Sequence, residues 1–475
     1  MDFDKDLQAR QEARTCAARA EKAQQQLALM DQSALDAIVE AVASAFSREA
    51  EALAILAEQE TGFGNPADKA VKNRFASETV AEAVRGMKTV GILREERGLW
   101  EVGVPMGAIA AIVPSTNPTS TVCYKAIIAL KAGNAIVFSP HPKAIACTLR
   151  AVEIVARAAE TAGAPKGCVA CLTVPSLEGC RELMSAEDVN LILATGGPAM
   201  VKAAYSSGKP AIGVGAGNGP AYIHESADVS LALKQILTSK TFDNGTVCAS
   251  EQSVIVERPM EERVRQEAKK LGYYFMSTSE ADALAKILFR SNGALNPEIV
   301  GRNALYLAKL AGFSVPHDTK VLVAREEQAG PTRPYSMEKL CPVLAFYVME
   351  NEEAVLEKVV EVLSHQGAGH TFAMHCTDQA VVRKFAQKVP VSRFLVNVPA
   401  ALGGIGAASG LFPALTLGCG SVGGSSSSNN VSPLDLVDIR RVAWGIREEK
   451  QECACDREDL VERITARILE RLNAY

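Results

Sequence analysis

From Asp4 to Glu60 the apolar positions, mostly Ala and Leu set among Gln and Glu, recur with helical spacing, and Asn73 to Lys88 does the same. Past that point short apolar runs begin to alternate with helical stretches. Gly107 to Val113 reads as a buried strand, followed by a Pro/Ser/Asn turn and a helix through Cys123–Leu130. Asn134 to Phe138 reads as the next strand; Ser139-Pro140-His141-Pro142 ends it, and a helix runs from about Ile145 to Ala159. Cys168–Val174, Leu191–Ala194 and Ala211–Val214 extend the strand series. Continuous apolar strands separated by helices predict α/β architecture, with a parallel sheet covered on both faces. Residues Ser253 to Phe346 repeat the pattern less clearly and suggest a second α/β domain beginning near residue 243. Gly-rich and Ser-rich stretches follow at Gly403–Gly410 and Gly418–Ser428.

The last stretch has a different pattern. Leu460, Val461, Ile464, Ile468, Leu469 and Leu472 fall on one helical stripe, with Glu462, Arg463, Glu470 and Arg471 largely outside it. Asp456 stands where an N-cap would, and a charged linker, Arg447 to Gln451, precedes it. A short amphipathic helix is marginal alone in water, so this one needs a partner.

Composition narrows the class. The chain has 475 residues, 48% hydrophobic and 22% charged, enough for two core-building domains. A net charge of −5 without a strongly basic run argues against nucleic acid as a partner. No stretch is long and apolar enough to span a bilayer, and the charged, Gln/Ala-rich start lacks the apolar core of a signal peptide. The 12 cysteines are irregularly spaced, which fits reduced thiols in a cytoplasm.

One of those thiols stands out. Phe242-Asp243-Asn244-Gly245-Thr246-Val247-Cys248-Ala249-Ser250 places Cys248 in a polar, Gly-containing turn just past an apolar helix. A structural cysteine prefers apolar neighbours, whereas a nucleophile needs backbone donors and access. Three turns could meet a dinucleotide: Pro114 to Pro118, Ser139 to Pro142, and Thr195 to Pro198. Each follows a strand and leads toward a helix, where ligands of open α/β sheets sit and phosphate is favoured. None is a G-x-G-x-x-G fingerprint, and each alone reads equally as ordinary loop chemistry.

The run Leu191–Gly217, continued through Ser239–Ser253, resembles the CoA-acylating aldehyde dehydrogenases. It is similar to the acetaldehyde and propionaldehyde enzymes and to the N-terminal half of bifunctional aldehyde-alcohol dehydrogenases. Val113–Ser120, Phe138–Pro142, Gly367–Thr371 and Leu415–Ser421 carry the likeness further, over roughly Thr79 to Ala443. The chain stops where a bifunctional relative's alcohol dehydrogenase half would begin, so a stand-alone aldehyde-oxidising enzyme is expected.

The resemblance implies a Rossmann-like NAD-binding domain over residues 1–242, with residues 86–104 in an oligomerisation arm. It also implies an α/β catalytic domain over 243–430 and an oligomerisation strand over 431–446, before the linker and amphipathic tail helix of 447–475. Cys248 becomes the nucleophile that forms a hemithioacetal and then a thioester. Asn117, otherwise a turn residue before Pro118, becomes an oxyanion donor beside the Cys248 N–H. Hydrolytic relatives carry a Glu-Leu-Gly-Gly motif whose Glu activates water; here Val214-Gly215-Ala216-Gly217 stands in its place. Without that base a thiol, coenzyme A, is the expected acyl acceptor, with His370 as its proton acceptor or orienting group. The alternative for His370 is an imidazole bonded to backbone in a Gly turn, and release of free acid is the competing outcome for the reaction.

NAD is expected along Pro114, Ser115, Ser139, His141, Thr195, Gly196, Gly197, Val214 and Gly215, with Glu338 on the nicotinamide ribose. A small Ser139, where many hydrolytic relatives have Lys, favours NAD over NADP. Acetaldehyde or propionaldehyde fits the resemblance best, with sulfoacetaldehyde as the alternative substrate. A homo-oligomer, a dimer or tetramer, is expected. The tail helix has two readings: a groove on the enzyme's own oligomer, or a likeness to the peptides that recruit such enzymes into bacterial microcompartments. Cys168-Val-Ala-Cys171 has zinc-like spacing but reads as a buried strand, because no second pair lies near and its flanks are apolar.

Overall fold

A computed structural model describes residues 4–445 and 454–473, so the linker residues 446–453 lie outside the described residues. The N-terminal helical region divides into helices Lys5–Leu27, Gln32–Arg48 and Ala50–Thr61. They pack through small residues, including the buried series Ala9, Ala13, Ala17 and Ala20 at four- and three-residue spacing. The predicted helix at Asn73–Lys88 begins earlier and ends earlier. Pro66–Arg74 passes through a single π-helical turn, Phe75–Thr79, into Val80–Val84. Asn65 caps it, its side chain accepting from the Asp68 N–H at 2.9 Å, and Pro66 suits the first turn.

Two parallel sheets follow. The first has five strands in the order Val169–Cys171, Ala135–Ser139, Ala108–Ile112, Leu191–Thr195 and Ala211–Val214. The chain adds strands on one side of Ala108–Ile112 and then crosses to the other, which creates a crevice at the carboxyl ends of Ala108–Ile112 and Leu191–Thr195. Lys125, fully buried, donates to the carbonyls of Ile112 and Leu193 at 2.8 Å each and ties those two strands together just below it.

The second sheet has seven parallel strands, in the order Tyr273–Phe275, Val321–Arg325, Val343–Met349, Glu251–Glu257, Gly219–Ile223, Gly369–His375 and Val391–Val396. Gly219–Ile223 corrects the expected division at 242: the chain changes sheets across residues 215–218. A doubly buried parallel strand has no alternation to show which sheet it joins. The region 243–430 is not one continuous unit either. After Val396 the chain returns to the first core, where Leu417, Cys419, Val431 and Leu436 are buried, and Tyr124 Oη donates to the Val431 carbonyl at 2.5 Å.

A third, antiparallel sheet joins Gly91–Glu96, Leu99–Pro105 and Val437–Ala443. Its last strand is exposed after Val437. The tail helix runs Ala454–Leu472, starting ahead of the expected cap at Asp456, and its apolar stripe from Leu460 to Leu472 is exposed. No helix among the described residues is long and apolar enough to cross a membrane.

Candidate active site

The crevice of the first sheet opens into a cavity of about 360 Å³ whose opposite wall carries Cys248. Eleven of the 13 expected site residues line it: Pro114, Ser115, Asn117, His141, Thr195, Gly196, Gly197, Val214, Gly215, Cys248 and Glu338. Ser139 and His370 do not. Ser139 ends its strand and is buried, off the cavity lining. His370 is fully buried in the second sheet, its Nδ1 2.8 Å from Thr371 Oγ1. Burial and the Arg393 guanidinium hold its imidazole well below its usual range, which makes it a weak base. The expected proton transfer to His370 therefore finds no support in its position.

On the first wall the turn after Leu191–Thr195 is nearly bare backbone. Gly197 caps the helix Pro198–Tyr205 without a side chain, and a Cβ built on it would meet nothing within 4 Å. The Thr195 hydroxyl beside it is buried without a partner. An open glycine turn at a helix N-terminus, with an unpaired hydroxyl, fits the phosphate and ribose of a dinucleotide. Burial and neighbouring Lys143 hold His141 below its usual range.

The opposite wall is crowded. Helix Val229–Thr241 ends in a turn where Asp243 and Asn244 take φ of 47° and 51°, a conformation costly for residues with side chains. Long-range bonds enforce it. Asp243 Oδ1 accepts from the Asn65 N–H at 2.8 Å, its own N–H donates to Asp68 at 2.7 Å, and Asn244 donates to the Gly301 carbonyl at 2.9 Å. Lys69 and Lys72 both donate to Asp243 Oδ2, at 3.0 and 2.5 Å, and all three side chains are buried. Burial opposes ionisation of Asp243, but the two lysines outweigh it and hold the carboxyl below its usual value.

Cys248 follows this turn and is half-buried. Burial, with the Glu338 carboxylate adding to it, pushes its thiol up to about 12, so the resting group is protonated. Gly217 packs against its backbone so tightly that a Cβ there would lie 1.9 Å from the Cys248 carbonyl oxygen. The Gly217 N–H donates to Glu338 at 3.1 Å, and Gln366 accepts from the Glu338 N–H at 2.7 Å. Burial raises the Glu338 carboxyl to about 7. Glu338 is therefore a half-buried cavity group rather than a solvated surface charge. Cys419 is buried beside glycines: a Cβ on Gly369 would lie 1.8 Å from its carbonyl oxygen. Between the two walls, Leu295, Pro297, Leu340, Ile405 and Leu415 provide an apolar lining.

Sequence reading missed Lys72, which lines the cavity and donates to Asn117 Oδ1 at 2.5 Å. The available signal was Lys69, Lys72 and Asn73 sharing one helical face by i, i+3, i+4 spacing. On a surface helix such a stripe faces water; here it is the buried face.

The protein-family model for the "Aldehyde dehydrogenase family" matches residues 6–273. The bifunctional aldehyde-alcohol dehydrogenase of Escherichia coli (strain K12) is 46% identical over 433 residues, covering 90% of this chain and 48% of that protein. The chain thus spans about half the length of that curated relative. An acetylating aldehyde dehydrogenase from Geobacillus thermoglucosidasius is 47% identical with a TM-score of 0.92, over 95% of this chain and 100% of that one. A propionaldehyde dehydrogenase from the Clostridium phytofermentans fucose utilisation bacterial microcompartment is 27% identical with a TM-score of 0.82, over 92% and 98% of the two chains.

Proposed function

Because the chain belongs to the aldehyde dehydrogenase family, we propose that it oxidises a short aldehyde and passes the acyl group from Cys248 to coenzyme A. The observation that carries this reading is Val214. It ends its strand at the cavity that Cys248 also lines and offers an isopropyl group where hydrolytic relatives carry a water-activating carboxylate. The acetylating Geobacillus relative supports the same reading.

The residues divide the work. The Cys248 sulfur attacks the aldehyde carbon as its proton passes to the Glu338 carboxylate beside it, and the carbonyl oxygen becomes an oxyanion. Asn117 Nδ2 and the Cys248 N–H are its donors, each worth roughly 3 kcal/mol of barrier in comparable sites. Glu338, with its carboxyl raised to about 7, is the acidic group beside the thiol. Thr195, Gly196, Gly197, Pro114, Ser115, Gly215 and Glu338 would hold NAD, which when bound supplies the hydride acceptor that converts the adduct to a thioester on Cys248. The CoA thiol then displaces Cys248 as acyl-CoA forms. NAD is proposed as the acceptor; the buried Ser139 lies off the cavity and does not bear on the choice against NADP. The apolar lining suits an uncharged alkyl chain, so acetaldehyde or propionaldehyde is favoured over sulfoacetaldehyde.

The test is NADH formation from a panel of these aldehydes, with NAD or NADP, with and without CoA. Sustained turnover is expected only with CoA. Rapid free-acid release without it would overturn the reading.

Two assembly roles complete the proposal. The exposed strand Val437–Ala443 offers an edge for a second copy, so a homo-oligomer forms through the three-stranded sheet. The exposed stripe of the tail helix directs the enzyme to a microcompartment shell, a reading the Clostridium relative supports. A fluorescent protein fused to residues 448–475 should enter co-expressed shells. Diffuse fluorescence would remove the shell role, and loss of the oligomer on truncation would favour packing within the enzyme.

A further inference from the structure

An asparagine that stabilises an oxyanion has two nearly identical ends, and only one is useful. Its amide NH₂ donates to the developing charge; its carbonyl oxygen would repel it. Something must select the end that faces the substrate, and the contacts of Asn117 show what does. We propose that Lys72 is the positioning residue that fixes the Asn117 amide with Nδ2 toward the oxygen formed at Cys248, an inference resting on the aldehyde-oxidising reading above.

The chemistry is one-sided. A lysine ammonium has donors and no acceptor, so the atom it touches must accept. Lys72 Nζ lies 2.5 Å from Asn117 Oδ1. Turning the amide over would set an NH₂ against an NH₃⁺. The contacts of Nδ2 are long by comparison, 3.2 Å to Thr116 Oγ1 and 3.4 Å to the Thr246 carbonyl, so that end can turn to a ligand. Lys72 itself cannot wander. It is buried, and it donates to Asp243 Oδ2 at 2.5 Å and Thr246 Oγ1 at 2.9 Å. Asp243 and Thr246 belong to the turn that carries Cys248, so one ammonium sets the donor and the nucleophile in register. Such preorganisation spares the site a reorientation when charge develops.

Lys69 provides an internal control. It shares Asp243 Oδ2 at 3.0 Å, but its other bond goes to the Thr116 carbonyl at 3.0 Å, and Asn117 Oδ1 accepts from Lys72 and not from Lys69. A purely structural role for the buried charges would make the two lysines equivalent. A positioning role separates them.

The experiment is a double-mutant cycle on the single-turnover formation of NADH from propionaldehyde, read before CoA is added. Lys72→Met should slow this pulse about 10²-fold, the loss of an oxyanion donor, with the KM for NAD changed less than about threefold. In an Asn117→Ala background the same substitution should cost roughly tenfold less than it does in the wild type, because no amide remains to orient and only the hold on the Cys248 turn is lost. Lys69→Met should lower the melting temperature as Lys72→Met does, yet slow the pulse far less and add to Asn117→Ala. Lys72→Arg, which keeps a donor-only cation, should recover part of the rate. Should Lys72→Met not fold, Lys72→Gln is read in both backgrounds in the same way. An equal loss with and without Asn117, or equal effects of the two lysines, would overturn the proposal. The pulse needs no CoA, so failure of the acyl-transfer reading would show separately, as products indifferent to CoA.

Discussion

The two walls of the cavity are built on opposite principles, and the glycines show it. Gly197, on the wall after Leu191–Thr195, has open space where a Cβ would go, while Gly217, on the Cys248 wall, has a carbonyl oxygen 1.9 Å away. The first wall is a surface of backbone kept clear for something else to fill. The second is already full: a strained turn, two buried lysines on one carboxylate, and a glutamate tied to a backbone N–H. Binding a dinucleotide needs exposed peptide groups and room. Activating one thiol needs a crowd of groups held to within a fraction of an ångström. A substitution on the open wall therefore acts on affinity, and one on the crowded wall acts on chemistry or on the fold.

The largest expected effect is at Cys248. Cys248→Ala should lower NADH formation by at least about 10³-fold while NAD affinity, measured by titration, changes little. Substantial residual turnover would place the nucleophile elsewhere and dissolve the division of labour. Next is Gly217→Ala. The added methyl must move the Cys248 backbone, so kcat should fall on the order of 10²-fold with a stability loss of about 1–3 kcal/mol. Unchanged melting and kcat would mean that the crowded wall yields easily.

A subtler probe uses pH. The Glu338 carboxyl lies at about 7 in the folded protein against an ordinary 4.5, because burial disfavours its charge. The native state holds this proton more tightly than the unfolded chain does. Its contribution to stability is thus full below about 4.5 and is lost as pH rises through about 7. Glu338→Gln should flatten that part of the melting-temperature profile between pH 5 and 8, though buried Glu251, also raised to about 7, will retain a slope of the same sign. A Gln variant with the wild-type profile would place Glu338 in solvent. The smallest effect is expected at Gly197→Ala: stability within about 0.5 kcal/mol of wild type, kcat little changed, and NAD affinity reduced roughly tenfold. A collapse of kcat instead would show that the open wall shares in the chemistry.

Much of this architecture was legible in the residues. The apolar runs at 107–113, 134–138, 191–194 and 211–214 lie within a residue or two of their strands, because a doubly covered parallel strand has no polar position to blur it. The strand-end turns of the cavity were legible too, because strands that end at a topological switch point bring their following turns together. What failed had physical causes. Ser139 opens one of the expected turns, but it is still the last residue of a strand buried along its whole length. His370 lies in a motif rich in glycine, but the strand that contains it is interior on both faces. A motif gives proximity along the chain; whether a side chain reaches the cavity depends on which face it takes.

By itself the sequence determined the alternation of strands and helices, the thiol in its polar turn, the absence of a carboxylate at Val214, and the amphipathic stripe of the tail. Each of these is local: periodicity, a turn's composition, or one residue's chemistry. Only the tertiary structure decided that Gly219–Ile223 joins the second sheet, that residues beyond Val396 return to seal the first core, and that Lys69 and Lys72 face inward onto Asp243. Those outcomes depend on partners up to 307 residues away. A charged helix face is stable toward water or toward a buried counter-charge, and nothing within the helix itself selects between the two. The selection is made by Asp243, held in a backbone conformation that its neighbours along the chain would not choose for it.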